Sequence, residues 1–115
     1  MQRLIEAYKL WHLYLRHFPK DFRYTLGNKI DQLFLEIIET VLQASNLVRG
    51  QKLPGLQKAS VKLDLLKFFL QIAWENKALD NNKYIKLSEI LSDIGRQLGG
   101  WQKQLLKETP PTGGE

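Results

Sequence analysis

What most constrains this chain is an apolar rhythm of alternating three- and four-residue steps, broken at only a few places. That period puts side chains along one face of an α-helix and does not fit the two-residue alternation of a half-buried strand. Residues 2 to 18 carry Leu4, Tyr8, Trp11, Leu15 and Phe18 in this spacing, and residues 22 to 48 carry Leu26, Ile30, Leu33, Ile37, Val41 and Ala44. A third segment runs Leu56, Ala59, Leu63, Leu66, Leu70, Ala73, and a fourth runs Tyr84, Leu87, Leu91, Ile94, Leu98, Trp101, Leu105. The breaks are Phe18-Pro19-Lys20-Asp21, the stretch Arg49 to Gly55 and the polar run Leu79 to Lys83. Asp21 is placed to cap the second helix, Pro54 to open the third, and Asp80 or Asn81 to precede the fourth. Short connectors force neighbouring helices to run antiparallel, so the predicted fold is all-α, an up-down-up-down four-helix bundle. At 115 residues it forms one domain, residues 1 to 107, with 108 to 115 as a flexible tail.

A bundle helix needs one apolar stripe of roughly three positions in seven. The third helix has two. Val61, Leu65, Phe68 and Ile72 repeat the spacing, each two positions from a seam residue and so about 200° around the axis. The second helix repeats the pattern more weakly with Leu35, Ile38 and Leu42. Leaving these side chains in water forgoes about 1.5–3 kcal/mol for each large one and invites aggregation. The expectation is that the second stripe is buried against other copies of the chain in a homo-oligomer; the alternative is a third helix covered on both sides by its own chain. The fourth helix is polar opposite its seam, with Lys86, Glu89, Asp93, Arg96, Gly100 and Lys103. Gly95, Gly99 and Gly100 lie within that helix, where close approach of another helix or a local kink would account for them equally well.

Catalytic chemistry has little to stand on. There is no cysteine, hence no disulfide, thiolate nucleophile or Cys-ligated zinc. His12 and His17 are five apart, about 140° around a helix, and cannot share a metal ion on one face. Neither Glu36-x-x-Glu39 nor Glu89-x-x-x-Asp93 supplies the histidine of a ferritin-like di-metal site. No P-loop, G-x-S-x-G elbow or HExxH is present. The expectation is therefore a chain that is not an enzyme and needs no metal and no cofactor. No apolar run approaches the roughly 18 residues of a membrane span, and MQRLIEAYK lacks the apolar stretch of a signal peptide. Those features predict a soluble cytoplasmic protein with no membrane partner.

Charge offers a partner class. Seventeen Lys and Arg against twelve Asp and Glu give a net +5, which favours polyanions. No acid occurs between Glu39 and Asp64, whereas Arg49, Lys52, Lys58 and Lys62 do, so the link between helices two and three and the start of helix three form a basic end. The first twenty residues add Arg3, Lys9, Arg16 and Lys20 against Glu6 alone. An oligomer would repeat that surface and engage several phosphates at once. The other reading is that these lysines only solubilise an apolar bundle.

Phe18-Pro19-Lys20, the run Arg23-Tyr24-Thr25-Leu26-Gly27-Asn28-Lys29-Ile30, and Ile94-Gly95-Arg96-Gln97-Leu98-Gly99-Gly100-Trp101 resemble the accessory variability determinant (Avd) family of diversity-generating retroelements, over about residues 5 to 106. The Phe-Pro-Lys turn and the Leu-Gly helix start are shared with the related four-helix-bundle proteins encoded in ribosomal RNA intervening sequences. The resemblance implies a basic, barrel-like homopentamer that associates with a reverse transcriptase and binds its RNA, with DNA as a further candidate, during error-prone copying of a template repeat. It also implies a non-catalytic role. The expected nucleic-acid contacts are Arg16, Lys20, Arg49, Lys52, Lys58, Lys62 and Arg96, the last matching a family-typical arginine. The expected oligomer contacts are Leu35, Ile38, Leu42, Val61, Leu65, Phe68 and Ile72. The alternative is an intervening-sequence bundle protein, or a structural oligomer with no nucleic-acid role.

Overall fold

The computed structural model describes residues 2–108, and these form four helices with no strand among them. Helix α1 is Gln2–Leu15. Helix α2 is continuous from Lys20 to Ser45, made of Lys20–Phe22, a π-helical turn Arg23–Gly27 and Asn28–Ser45. Helix α3 is Arg49–Glu75 and α4 is Asn81–Glu108. Of the tail expected from 108 onward, Glu108 closes α4 and the rest lies outside the described residues.

Cross-helix pairs fix the topology. Lys29 faces Phe69, Glu36 holds Lys62, and Ala44 touches Gly55, so α2 and α3 run antiparallel. Gly95 packs on Leu63 and Gln102 bonds Ser60, which makes α3 and α4 antiparallel too. Arg3 pairs with Asp93 and Lys83 lies over Tyr14, so α1 runs down against the first half of α4. The result is a rod with extents of 57 × 22 × 21 Å.

The seam read from the sequence is the core. Leu56, Ala59, Leu63, Leu66, Leu70 and Ala73 of α3 are all buried, as are Leu87, Leu91, Ile94, Leu98 and Leu105 of α4. Phe34, outside the predicted seam, joins them, with its ring stacked on Trp11 and edge-on to Tyr8. Trp11 is fully buried, meets Phe18 edge-on and donates its indole N–H to Asp31 at 3.2 Å.

Two expected helix starts are corrected. Asp21 does not cap α2; Pro19, with φ −58° and ψ 143°, occupies the cap position and Asp21 sits inside the first turn, where a carboxylate favours the positive helix end. Pro54 does not open α3. The helix begins at Arg49, the connector shrinks to Asn46-Leu47-Val48, and Pro54 lies inside it. So early in the helix, proline gives up one backbone bond, to the carbonyl of Gly50. The neighbouring Gly55 explains why the two helices come so close: a Cβ added there would lie 2.9 Å from the Ala44 Cβ, so α2 and α3 touch at this point almost backbone to backbone. The α3–α4 turn follows expectation. Lys77, at φ 63°, ends α3 with its N–H on the Trp74 carbonyl, and Asp80 caps α4 by accepting from the Lys83 N–H at 2.9 Å.

Among the described residues the bundle is four-helical over only part of its length. Because Arg3 already sits beside Asp93, the remainder of α4 extends past the start of α1 by roughly 20 Å at 1.5 Å per residue. Among the described residues that end of the rod is built by α2, α3 and α4 alone.

Candidate nucleic-acid and assembly surfaces

The family-like segments prove to be structural devices. Phe18 is buried against Trp11, and Pro19 starts α2. Arg23 donates through Nη2 to the carbonyls of Arg16 (3.0 Å) and Phe18 (3.3 Å), filling acceptors that the end of α1 leaves open; its buried Nε has no partner. Gly27 admits Leu15, whose Cδ1 would be 2.9 Å from an added Cβ. This clamp was not legible from charge alone, since Arg23 reads there as one more surface cation.

Of the three glycines in α4, Gly95 makes ordinary contact with Leu63 and Lys67, while a Cβ on Gly99 or Gly100 would meet nothing within 4 Å. The close-approach glycine lies instead at position 55. Accordingly, Gly99→Ala and Gly100→Ala should each raise stability by about 1 kcal/mol through helix propensity. Gly55→Ala should lower it by about 1–3 kcal/mol, because the Ala44 Cβ cannot swing aside. Thermal unfolding of the three variants checks this; a stabilised Gly55→Ala would refute the packing argument.

The apolar stripe of α3 is open in the single chain: Val61 is 68%, Leu65 40% and Phe68 55% exposed, with Ile72 half-buried. The helix meets α2 through Gly55, Lys62 and Phe69 and meets α4 through Ser60, Leu63 and Lys67, so the stripe points away from both. The stripe of α2 faces elsewhere. Leu35, Ile38 and Leu42 continue the line Asp31–Phe34 along which α2 meets α1; Leu35 and Leu42 are exposed and Ile38 half-buried. One rod therefore carries two separate apolar patches on different faces.

The candidate cations do not form one surface. Arg16 and Lys20 are exposed at the end where α1 turns into α2, whereas Arg49 and Lys52 lie on the first turns of α3 at the opposite end, separated by the length of α2, about 39 Å. Lys62 bonds the Glu36 carboxylate at 3.0 Å. That ammonium, helped by the Gln32 amide, holds Glu36 below the usual carboxylate range. Arg96 pairs with Asp93, whose pKa is lowered mainly by Arg3 and further by Arg96. Lys52 donates to the Ser45 carbonyl and lies 6.0 Å from the Trp101 ring centroid. Lys58 is exposed, with no ion pair among the described residues. The cations least compensated by the chain itself are thus Lys58, Lys20 and Arg16. The two histidines are exposed, and no group of His, Asp or Glu able to hold a metal ion occurs among the described residues. No described helix is long and apolar enough to cross a membrane.

These features define an all-helical, antiparallel bundle with exposed apolar patches and distributed positive charge. The chain belongs to the bAvd-like family, whose model matches residues 1–105 and so takes in all four helices almost entirely. Among curated proteins and among solved structures nothing matches it.

Proposed function

We propose that this chain is a non-enzymatic accessory subunit of a diversity-generating retroelement: a homo-oligomeric scaffold, pentameric by family likeness, that holds retroelement RNA and a reverse transcriptase together. The observation that carries the reading is the open stripe Val61–Leu65–Phe68–Ile72 on a basic member of the bAvd-like family. Covering that stripe recovers several kcal/mol per protomer at about 1.5–3 kcal/mol for each large side chain. The patch on α2 lies on a different face, which favours head-to-tail contact, stripe of one protomer on the α2 flank of the next, over a two-fold dimer burying one shared patch. Head-to-tail contacts that close make a ring, and rods side by side in a ring repeat their cationic ends around its rims. Phosphate neutralisation supplies the affinity, with the polymerase brought in by the assembled particle.

Binding of structured RNA across a salt series tests the nucleic-acid role. Lys62→Glu is a poor probe because it would set two carboxylates against each other at Glu36. Lys58→Glu combined with Lys20→Glu leaves the internal pairs intact. It should weaken binding at every salt concentration and flatten the salt slope by about one unit per lost phosphate contact. Unchanged affinity and slope would clear both lysines; absence of any wild-type binding at low salt would overturn the reading.

A further inference from the structure

We infer that the end of the rod beyond α1 carries a slot for a single unpaired nucleobase, with Trp101 as the stacking surface and Lys52 and Arg49 as the phosphate side. This rests on the nucleic-acid reading above and goes beyond it, because phosphate contacts alone need no aromatic.

Trp101 occupies a seam position, and the equivalent seam residues Leu87, Leu91, Ile94 and Leu98 are fully buried. It is only half-buried, because α1 starts lower down and no described helix covers that corner. In its place is a cavity of about 280 Å³ lined by Arg49, Lys52, Trp101, Gln104 and Leu105. The cavity thus combines an indole ring, two cationic side chains, an amide and an aliphatic floor. The ammonium of Lys52 is at the outer limit of the range in which a cation holds an aromatic face, so the ring is loosely covered.

The surroundings favour an anion attached to whatever enters. The first turn of α3 contains no acid and no side-chain cap, so the positive end of the helix dipole and the Arg49 charge add to one positive field at the mouth. Next to the tryptophan, Gly100 keeps the surface of α4 low, and a Cβ there would meet nothing within 4 Å among the described residues. A flat apolar ring beneath cations, at the edge of an open corner, matches a planar base with its phosphate outward. Stacking is indifferent to sequence because every base has a π-face, so the slot would hold a strand without reading it.

The test compares wild-type binding of a short oligouridylate with an abasic ribose-phosphate chain of the same length, at one salt concentration. The oligouridylate should bind roughly tenfold tighter and quench part of the tryptophan fluorescence. Trp11 is sealed in the core and Trp74 is stacked on Tyr84, so the quenched signal should disappear in Trp101→Phe. That variant should retain most of the preference, whereas Trp101→Leu should bind both chains as wild type binds the abasic one. Lys52→Gln should weaken both chains alike. Because the first comparison needs no variant, a folding defect cannot mask the answer. Equal, salt-dependent binding of both chains would overturn the slot and leave the phosphate reading standing. Failure of both to bind at low salt would overturn the two together.

Discussion

The double substitution Leu65→Glu with Phe68→Glu should break the proposed homo-oligomer into single chains of 13.4 kDa in sedimentation, with far-UV ellipticity unchanged. Both side chains are about half exposed in the single chain, so carboxylates there remain solvated and cost the bundle little. Inside an interface each would be stripped of water without a partner, at several kcal/mol per charge, and in a ring every contact carries the same defect. Leu66→Glu, one position along the same helix, places its charge in the fully buried core and should unfold the bundle outright. The contrast separates a docking face from a packing face. A wild-type protein that sediments as a monomer at micromolar concentration would dispose of the assembly.

That contrast also shows which parts of the molecule were legible in the sequence. The seam of α3 and its second stripe follow from periodicity alone, because burial at 3.6 residues per turn writes itself into residue type. Phe34 and Thr40 escaped the same reading for different reasons. Helix α2 is packed by both α1 and α3, so its buried face is wider than one stripe and takes in Phe34 beside Leu33. Thr40 is buried with its hydroxyl donating to the Glu36 carbonyl at 2.7 Å, so a polar side chain satisfied by its own helix breaks the pattern without breaking the core. Pro54 misled because its preference for a first turn is only a preference: residues 49–53 are already helical ahead of it, and the helix carries the proline at the loss of one backbone bond. The candidate cations were named from composition, but their grouping was not visible there. Chain order puts Lys20 and Arg49 at opposite ends of α2, and only the structure shows that Glu36 engages Lys62 across two helices; Asp93 engages Arg96 within α4, at a three-residue spacing already present in the sequence. The register of α1 against α4, which sets Arg3 beside Asp93 and leaves the corner around Trp101 uncovered by any described helix, has no local signature.

Shortness makes α1 the least secured element, and Trp11→Ala should release it. Besides Trp11, the helix fully buries only Leu4 and Ala7, with Tyr8, Leu10, Tyr14 and Leu15 half-buried against the core, and its bridge from Arg3 to Asp93 is substantially solvent-exposed on both sides, the kind of pair that contributes little. Removing a fully buried indole costs about 3–5 kcal/mol. The loss here also takes the ring faces that cover Phe34 and Phe18 and the donor to Asp31. Fourteen residues are too few to stay helical unaided in water, so what remains cannot hold α1 in place. The expected result is two-step unfolding. Ellipticity corresponding to one short helix should disappear first, with rapid amide exchange over residues 2 to 15, while α2, α3 and α4 keep their protection until a later cooperative transition. Trp11→Phe preserves an aromatic ring against Phe34 and loses the hydrogen bond, so it should cost less and leave a single transition. If Trp11→Ala instead melts all four helices together, α1 belongs to the cooperative core, and the picture of a three-helix rod with a separately docked fourth helix is wrong.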